Sequence, residues 1–146
     1  MTRVLRGLLY GAIAGLLLAT TARVLMRMVA FGMDRHAEFD PVATVSLAAL
    51  FMLSGAGAGM AGAAGLRTWK LALVLAVTSG LLLLTGTVFG LGETLEIYNL
   101  ELPLVRTVLL TALSLIIFSL VLATPYAGLR LGRLAARQQA VGQLAA

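Results

Sequence analysis

Apolar positions along this chain fall in four long runs separated by short polar breaks. The first extends from Gly7 to Ala22, after Arg3 and Arg6, and continues from Val24 to Gly32 with Arg23 and Arg27 embedded in it. The second runs from Val42 to Leu66 and ends at Arg67; the third, Leu71 to Leu91, follows Trp69 and Lys70; the fourth, Leu104 to Ala127, stops before Arg130 and Arg133. A helix crosses a hydrocarbon layer of about 30 Å with about 20 apolar residues. The runs therefore predict an all-α integral membrane protein, a single four-helix membrane domain with spans at about 4–28, 42–66, 70–92 and 104–127 and a basic amphipathic tail over 128–146. Pro41 and Pro103 stand where the second and fourth spans begin, and a proline in a helix's first turn forfeits no hydrogen bond. The first run also has the order of a signal peptide, a basic start followed by apolar residues and then Thr20, Thr21 and Ala22. Here it is read as a retained anchor.

Composition strengthens that picture. Hydrophobic residues make up 60% of the 146, charged residues 12%, and the mean hydropathy is +1.01, which makes lipid part of the expected solvent. Four spans consume most of the chain, leaving no room for a separate catalytic domain. The net charge of +5 comes from basic residues at helix ends, not from a soluble basic face, so nucleic acid is not expected as a partner. One side collects Arg3, Arg6, Arg67, Lys70, Arg130, Arg133 and Arg137. The other holds all six acids, Asp34, Glu38, Asp40, Glu93, Glu96 and Glu101, with Arg23, Arg27, Arg35 and Arg106. The positive-inside rule then places both termini in the cytoplasm, with the plasma (inner) membrane as the expected location.

The chain contains no cysteine and one histidine, His36, which removes disulfides, thiolate metal sites and covalently attached haem from consideration. No cofactor of its own is expected, although bound lipids are. His36, Glu38 and Asp40 alternate in a short loop and are weak candidates for a divalent metal site, against the simpler reading of a solvated polar loop. The spans carry no acid, lysine or histidine at mid-depth, which argues against a proton-coupled carrier. Their hydroxyls, from Thr20 to Ser119, are the kind that bond their own helix or a neighbour.

Glycine recurs at helical spacing, as Gly7, Gly11 and Gly15 in the first span and as Gly55, Gly59 and Gly62 in the second. In lipid, where burial of apolar surface no longer drives association, small residues one turn apart allow close backbone contact. The two spans are expected to cross closely or to join protomers of an oligomer. Arg23 and Arg27, one turn apart, and Arg106 sit at membrane depth near the outer side, with Glu93, Glu96 and Glu101 or Asp34 and Glu38 as partners. That group reads either as a rim of ion pairs pinning the bundle or as an anion-gathering vestibule. Arg130, Arg133 and Arg137, interleaved with Leu129, Leu131 and Leu134, are expected to lie on the anionic cytoplasmic leaflet, a protein-binding tail being the competing reading.

Thr44 to Arg67 also aligns without gaps on Thr107 to Arg130, matching Thr44-Val45, Leu47, Ala49-Leu50 and Ala64-Gly65-Leu66-Arg67. The alignment raises the expectation of two tandem helical hairpins related by a pseudo-two-fold axis along the membrane normal. The stretch Gly11 to Arg23, followed by Phe39 to Gly62, loosely resembles the first two helices of the small fluoride channels. Their pore asparagine and their phenylalanine-serine segment have no counterpart, since the only asparagine is Asn99, and no residue role is carried over.

Taken together these features point to a non-catalytic membrane subunit or scaffold that packs with itself or with larger membrane partners. The alternative is a small oligomeric channel or transporter with an arginine-lined outer vestibule.

Overall fold

The computed structural model describes residues 3–34, 40–66, 68–99 and 102–144, with side chains over 3–34, 40–66, 69–85 and 102–138. They form four helices, α1 (Arg3–Gly32), α2 (Pro41–Ala63), α3 (Thr68–Asn99) and α4 (Leu104–Leu144), with no strand among the described residues. Helices α1, α2 and α4 are each long and apolar enough to cross a membrane, whereas the described apolar stretch of α3 is the shorter Trp69–Thr85.

Local chemistry accounts for the helix ends. The Asp40 carboxylate accepts from the backbone N–H of Val42 (2.9 Å) and of Ala43 (3.1 Å), with Pro41 as the first helical residue, so two donors that α2 leaves open at its start are satisfied. The far end of α2 closes when Gly65 turns into the left-handed region (φ +60°). Leu66 N–H then donates to the Ala61 carbonyl and Gly65 N–H to Gly62, the paired bonds of a Schellman stop. Just past the end of α1, Asp34 is also left-handed (φ 56°), a conformation that aspartate tolerates better than most side chains.

Packing is set by backbone contact. A Cβ on Gly7 would lie 2.5 Å from the Gly59 carbonyl oxygen, one on Gly11 would strike the Gly55 carbonyl, and one on Gly15 the Phe51 carbonyl. The register runs in opposite directions, so α1 and α2 are antiparallel. Helix α4 closes on the same face of α2, where a Cβ on Gly128 would meet the Gly55 carbonyl oxygen at 2.5 Å and one on Gly132 would strike the Gly59 carbonyl. Gly55 and Gly59 are thus the junction of three helices. Above them, Ala19, Ala22, Phe51, Leu82 and Val121 form one buried cluster, and Val29, Met33 and Leu110 a second.

Three findings depart from the linear reading. The polar segment after Leu91 continues α3 as far as Asn99, so Glu93 and Glu96 stand on a helix. No break separates span from tail either. Helix α4 passes through the buried Pro125 and continues to Leu144, with Gly128, Leu129, Gly132 and Ala135 buried. These buried residues share one face of the segment, and the arginines lie on the opposite, exposed face. Proline costs α4 one ladder bond, and the close approach of Gly128 and Gly132 to α2 offsets it.

The aligned Ala-Gly-Leu stretches adopt different conformations. The first ends α2 in a left-handed turn, while the second lies inside α4. Packing among the described residues is equally unsymmetrical, because α1, α2 and α4 enclose one another while the described part of α3 makes smaller interfaces with α2 and α4.

Candidate functional site

The described charged side chains gather at the two ends of the bundle. At one end are Arg23, Arg27, Asp34, Asp40 and Arg106; at the other are Arg3, Arg6, Lys70, Arg130, Arg133 and Arg137. This segregation follows from the antiparallel order of the helices.

At the first end, Asp34 just past α1 pairs with Arg106 in the opening turn of α4, Oδ2 to Nη2 2.8 Å. Asp34 is 78% exposed there and Arg106 34%, so the pair lies at the rim. Arg23 reaches the start of α2, where an Nη donates to the Asp40 backbone carbonyl at 3.5 Å. Its Nε is buried and has no hydrogen-bond partner. Arg27 is exposed one turn farther along α1.

Several candidate residues fall outside what the structure describes. Glu101, His36 and Glu38 lie outside the described residues, and Glu93 and Glu96 are placed only by their helix backbone. Of the metal-site candidates Asp40 alone is described, and its Oδ1 is engaged in capping α2. Among the described residues no three His, Cys, Asp or Glu side chains come together as metal ligands would.

The hydroxyls mostly bond their own helix. Thr20, Thr21, Thr85, Thr111, Ser114, Ser119 and Thr124 each donate to the carbonyl four residues back, the ordinary way for such a group to be satisfied in a helix. Ser54 instead reaches from α2 to the Thr78 carbonyl of α3 at 3.5 Å. It is a direct polar link between α2 and α3.

At the opposite end, the exposed side of α4 carries a shallow groove of about 400 Å³ lined by Tyr126, Leu129, Arg130, Arg133, Leu134 and Arg137. Nearby, the Lys70 ammonium stands 5.6 Å from the centre of the Trp69 ring.

Sequence reasoning placed Gly7, Gly11, Gly15, Gly55, Gly59 and Gly62 in packing roles, and all six are buried where helices meet. It missed Gly128 and Gly132. Their four-residue spacing repeats that of Gly55 and Gly59, but they lie among arginines, within the stretch that the sequence predicts as a basic amphipathic tail. Asp34 was considered as an arginine partner, yet nothing in the linear pattern singles it out for Arg106. No protein-family model matches the chain, and no curated protein or solved structure matches it either.

Proposed function

We propose that this chain is an integral membrane protein whose four helices all cross the bilayer with both termini cytoplasmic, acting as a non-catalytic subunit that stabilises or organises a larger membrane assembly. One observation carries the reading: backbone-to-backbone contact at Gly55 and Gly59 closes the α1, α2 and α4 core. A core sealed in that way works through its outer surface. That surface is apolar, with Leu5, Leu9, Ile13, Leu17 and Val24 exposed on α1 and Leu73, Val77, Leu81 and Leu84 on α3. Helix α3, held by small interfaces, is the element best placed to exchange contacts with a second copy or a larger partner. The concentration of cations at the end where α1 begins and α4 finishes supports the cytoplasmic assignment.

A second reading rests on the buried Nε of Arg23, which has no partner. An intramembrane donor left open in this way is what an anion-gathering outer vestibule would use, in a small oligomeric channel or transporter. The pairing of Arg106 with Asp34 weighs against it, because the carboxylate occupies a charge the vestibule would need.

Native mass spectrometry of the tagged protein, gently extracted from its own membranes, separates the two. Recovery as a stoichiometric part of a larger assembly supports the subunit reading. A lone homo-oligomer whose reconstituted ion flux is abolished by Arg23→Gln overturns it in favour of the channel.

A further inference from the structure

The cytoplasmic half of α4 has two faces with different fates. Gly128, Leu129, Gly132 and Ala135 are buried in the bundle, which fixes the direction of the opposite face. That face presents Tyr126, Arg130, Arg133 and Arg137 at intervals of four, three and four residues, one continuous helical stripe. All four are exposed, and the three arginines have no carboxylate partner among the described residues. The described carboxylates, Asp34 and Asp40, lie at the opposite end of the bundle. Packing uses none of these guanidinium groups.

Depth identifies what they face. At about 1.5 Å per residue, Tyr126 stands about 33 Å along α4 from Leu104 and Arg130 about 39 Å, against a hydrocarbon thickness of about 30 Å. Tyr126, 65% exposed, therefore falls at the interface, where amphipathic rings concentrate, and the arginines enter the headgroup layer. Below them the apolar surface continues through the exposed Leu122, alongside which an acyl chain can lie. The groove between Tyr126 and Arg137 thus has an aromatic lower rim and a cationic upper end, and the exposed apolar surface at Leu122 adjoins it from below.

We infer that this groove is a binding site for an anionic phospholipid, its phosphate held between Arg130 and Arg133 and Arg137 reaching a second anionic group of the headgroup. Guanidinium groups bind phosphate oxygens through paired, charge-assisted hydrogen bonds. The rise of about 10 Å from Arg130 to Arg137 exceeds the reach of one phosphate, which favours a headgroup bearing two. Free phosphate shares the chemistry of the upper end but not of the lower, so the site is assigned to lipid. The inference rests on the helices crossing a bilayer and is independent of any partner.

The test is native mass spectrometry of the whole chain in a neutral detergent, titrated with diphosphatidylglycerol or with zwitterionic phosphatidylcholine, each with and without inorganic phosphate. The expected result is one diphosphatidylglycerol retained at least tenfold more tightly than phosphatidylcholine and not displaced by equimolar phosphate. That preference disappears in the triple variant Arg130→Gln, Arg133→Gln, Arg137→Gln, of unchanged helical circular dichroism, but persists in Lys70→Gln, which removes a charge at the same end. Equal retention of the two lipids, displacement by inorganic phosphate, or an undiminished preference in the triple variant overturns the assignment. Failure of the membrane reading is recognised separately, by release of the chain from its native membranes in alkaline carbonate.

Discussion

Gly59 offers the sharpest test of how this bundle is held together. A Cβ placed there strikes the Gly7 carbonyl oxygen and comes within 3.0 Å of the Gly7 carbonyl carbon and 3.1 Å of Gly11 Cα. The obstructing atoms are backbone, so no side chain can swing aside, and α1 must retreat by about 1 Å to restore ordinary contact. The Gly59 carbonyl is itself in contact with the Gly7 and Gly132 positions, so this retreat loosens α4 as well. Overpacking of this kind costs about 1–3 kcal/mol. Alanine's higher helix propensity returns up to about 1 kcal/mol. Gly59→Ala is therefore expected to destabilise by about 1–2 kcal/mol, and Gly59→Val by about 3 kcal/mol or more, as further atoms enter the junction. Gly80 supplies the control, since a Cβ there meets nothing within 4 Å. Gly80→Ala should be neutral or stabilising by up to about 1 kcal/mol. Reversible unfolding in mixed micelles, followed by circular dichroism against the mole fraction of denaturing detergent, measures all three. Equal stability of Gly59→Ala and Gly80→Ala would refute the backbone-contact argument.

Other expectations follow from the caps, the rim and the charge distribution. Asp40→Ala removes the acceptor for the Val42 and Ala43 N–H groups and should cost about 1 kcal/mol in the same unfolding assay, with Asp40→Asn costing much less. A double-mutant cycle on Asp34→Asn and Arg106→Gln should return a coupling below about 1 kcal/mol, because the carboxylate is 78% exposed. Raising the salt to about 1 M should remove most of it, and a larger, salt-insensitive coupling would show the pair to be buried. The natural absence of cysteine permits direct topology mapping with single cysteines. A membrane-impermeant maleimide should label Asn99→Cys in intact cells and Gln138→Cys only after permeabilisation; the reverse pattern would overturn the cytoplasmic assignment of the termini.

Most helix boundaries were legible because they are marked locally. Pro41 and Pro103 announce starts, and the second apolar run closes at Arg67. The same Ala-Gly-Leu-Arg sequence at Ala127 to Arg130 misleads, since a glycine ends a helix only when the chain gains by turning there. At Gly128 it gains more by continuing, because the next turn brings Gly132 against Gly59. The glycines of α1 and α2 could be assigned to contacts because their spacing lies in plainly apolar runs. Arg23 was recognisable as a charge at depth, but its contact with the Asp40 carbonyl joins residues 17 positions apart and leaves no periodic trace.

The sequence by itself determined the number and order of the helices, their antiparallel succession and the separation of cations from acids. Hydropathy, capping residues and charge placement belong to single segments and act before any partner is chosen. Only the tertiary structure decided that α1, α2 and α4 form the core while α3 stays at its edge, and that the basic end of α4 divides into a packed glycine face and an exposed arginine stripe. Partner choice among apolar helices depends on which backbones can approach to contact distance. That property belongs to pairs of surfaces and cannot be read from either one alone.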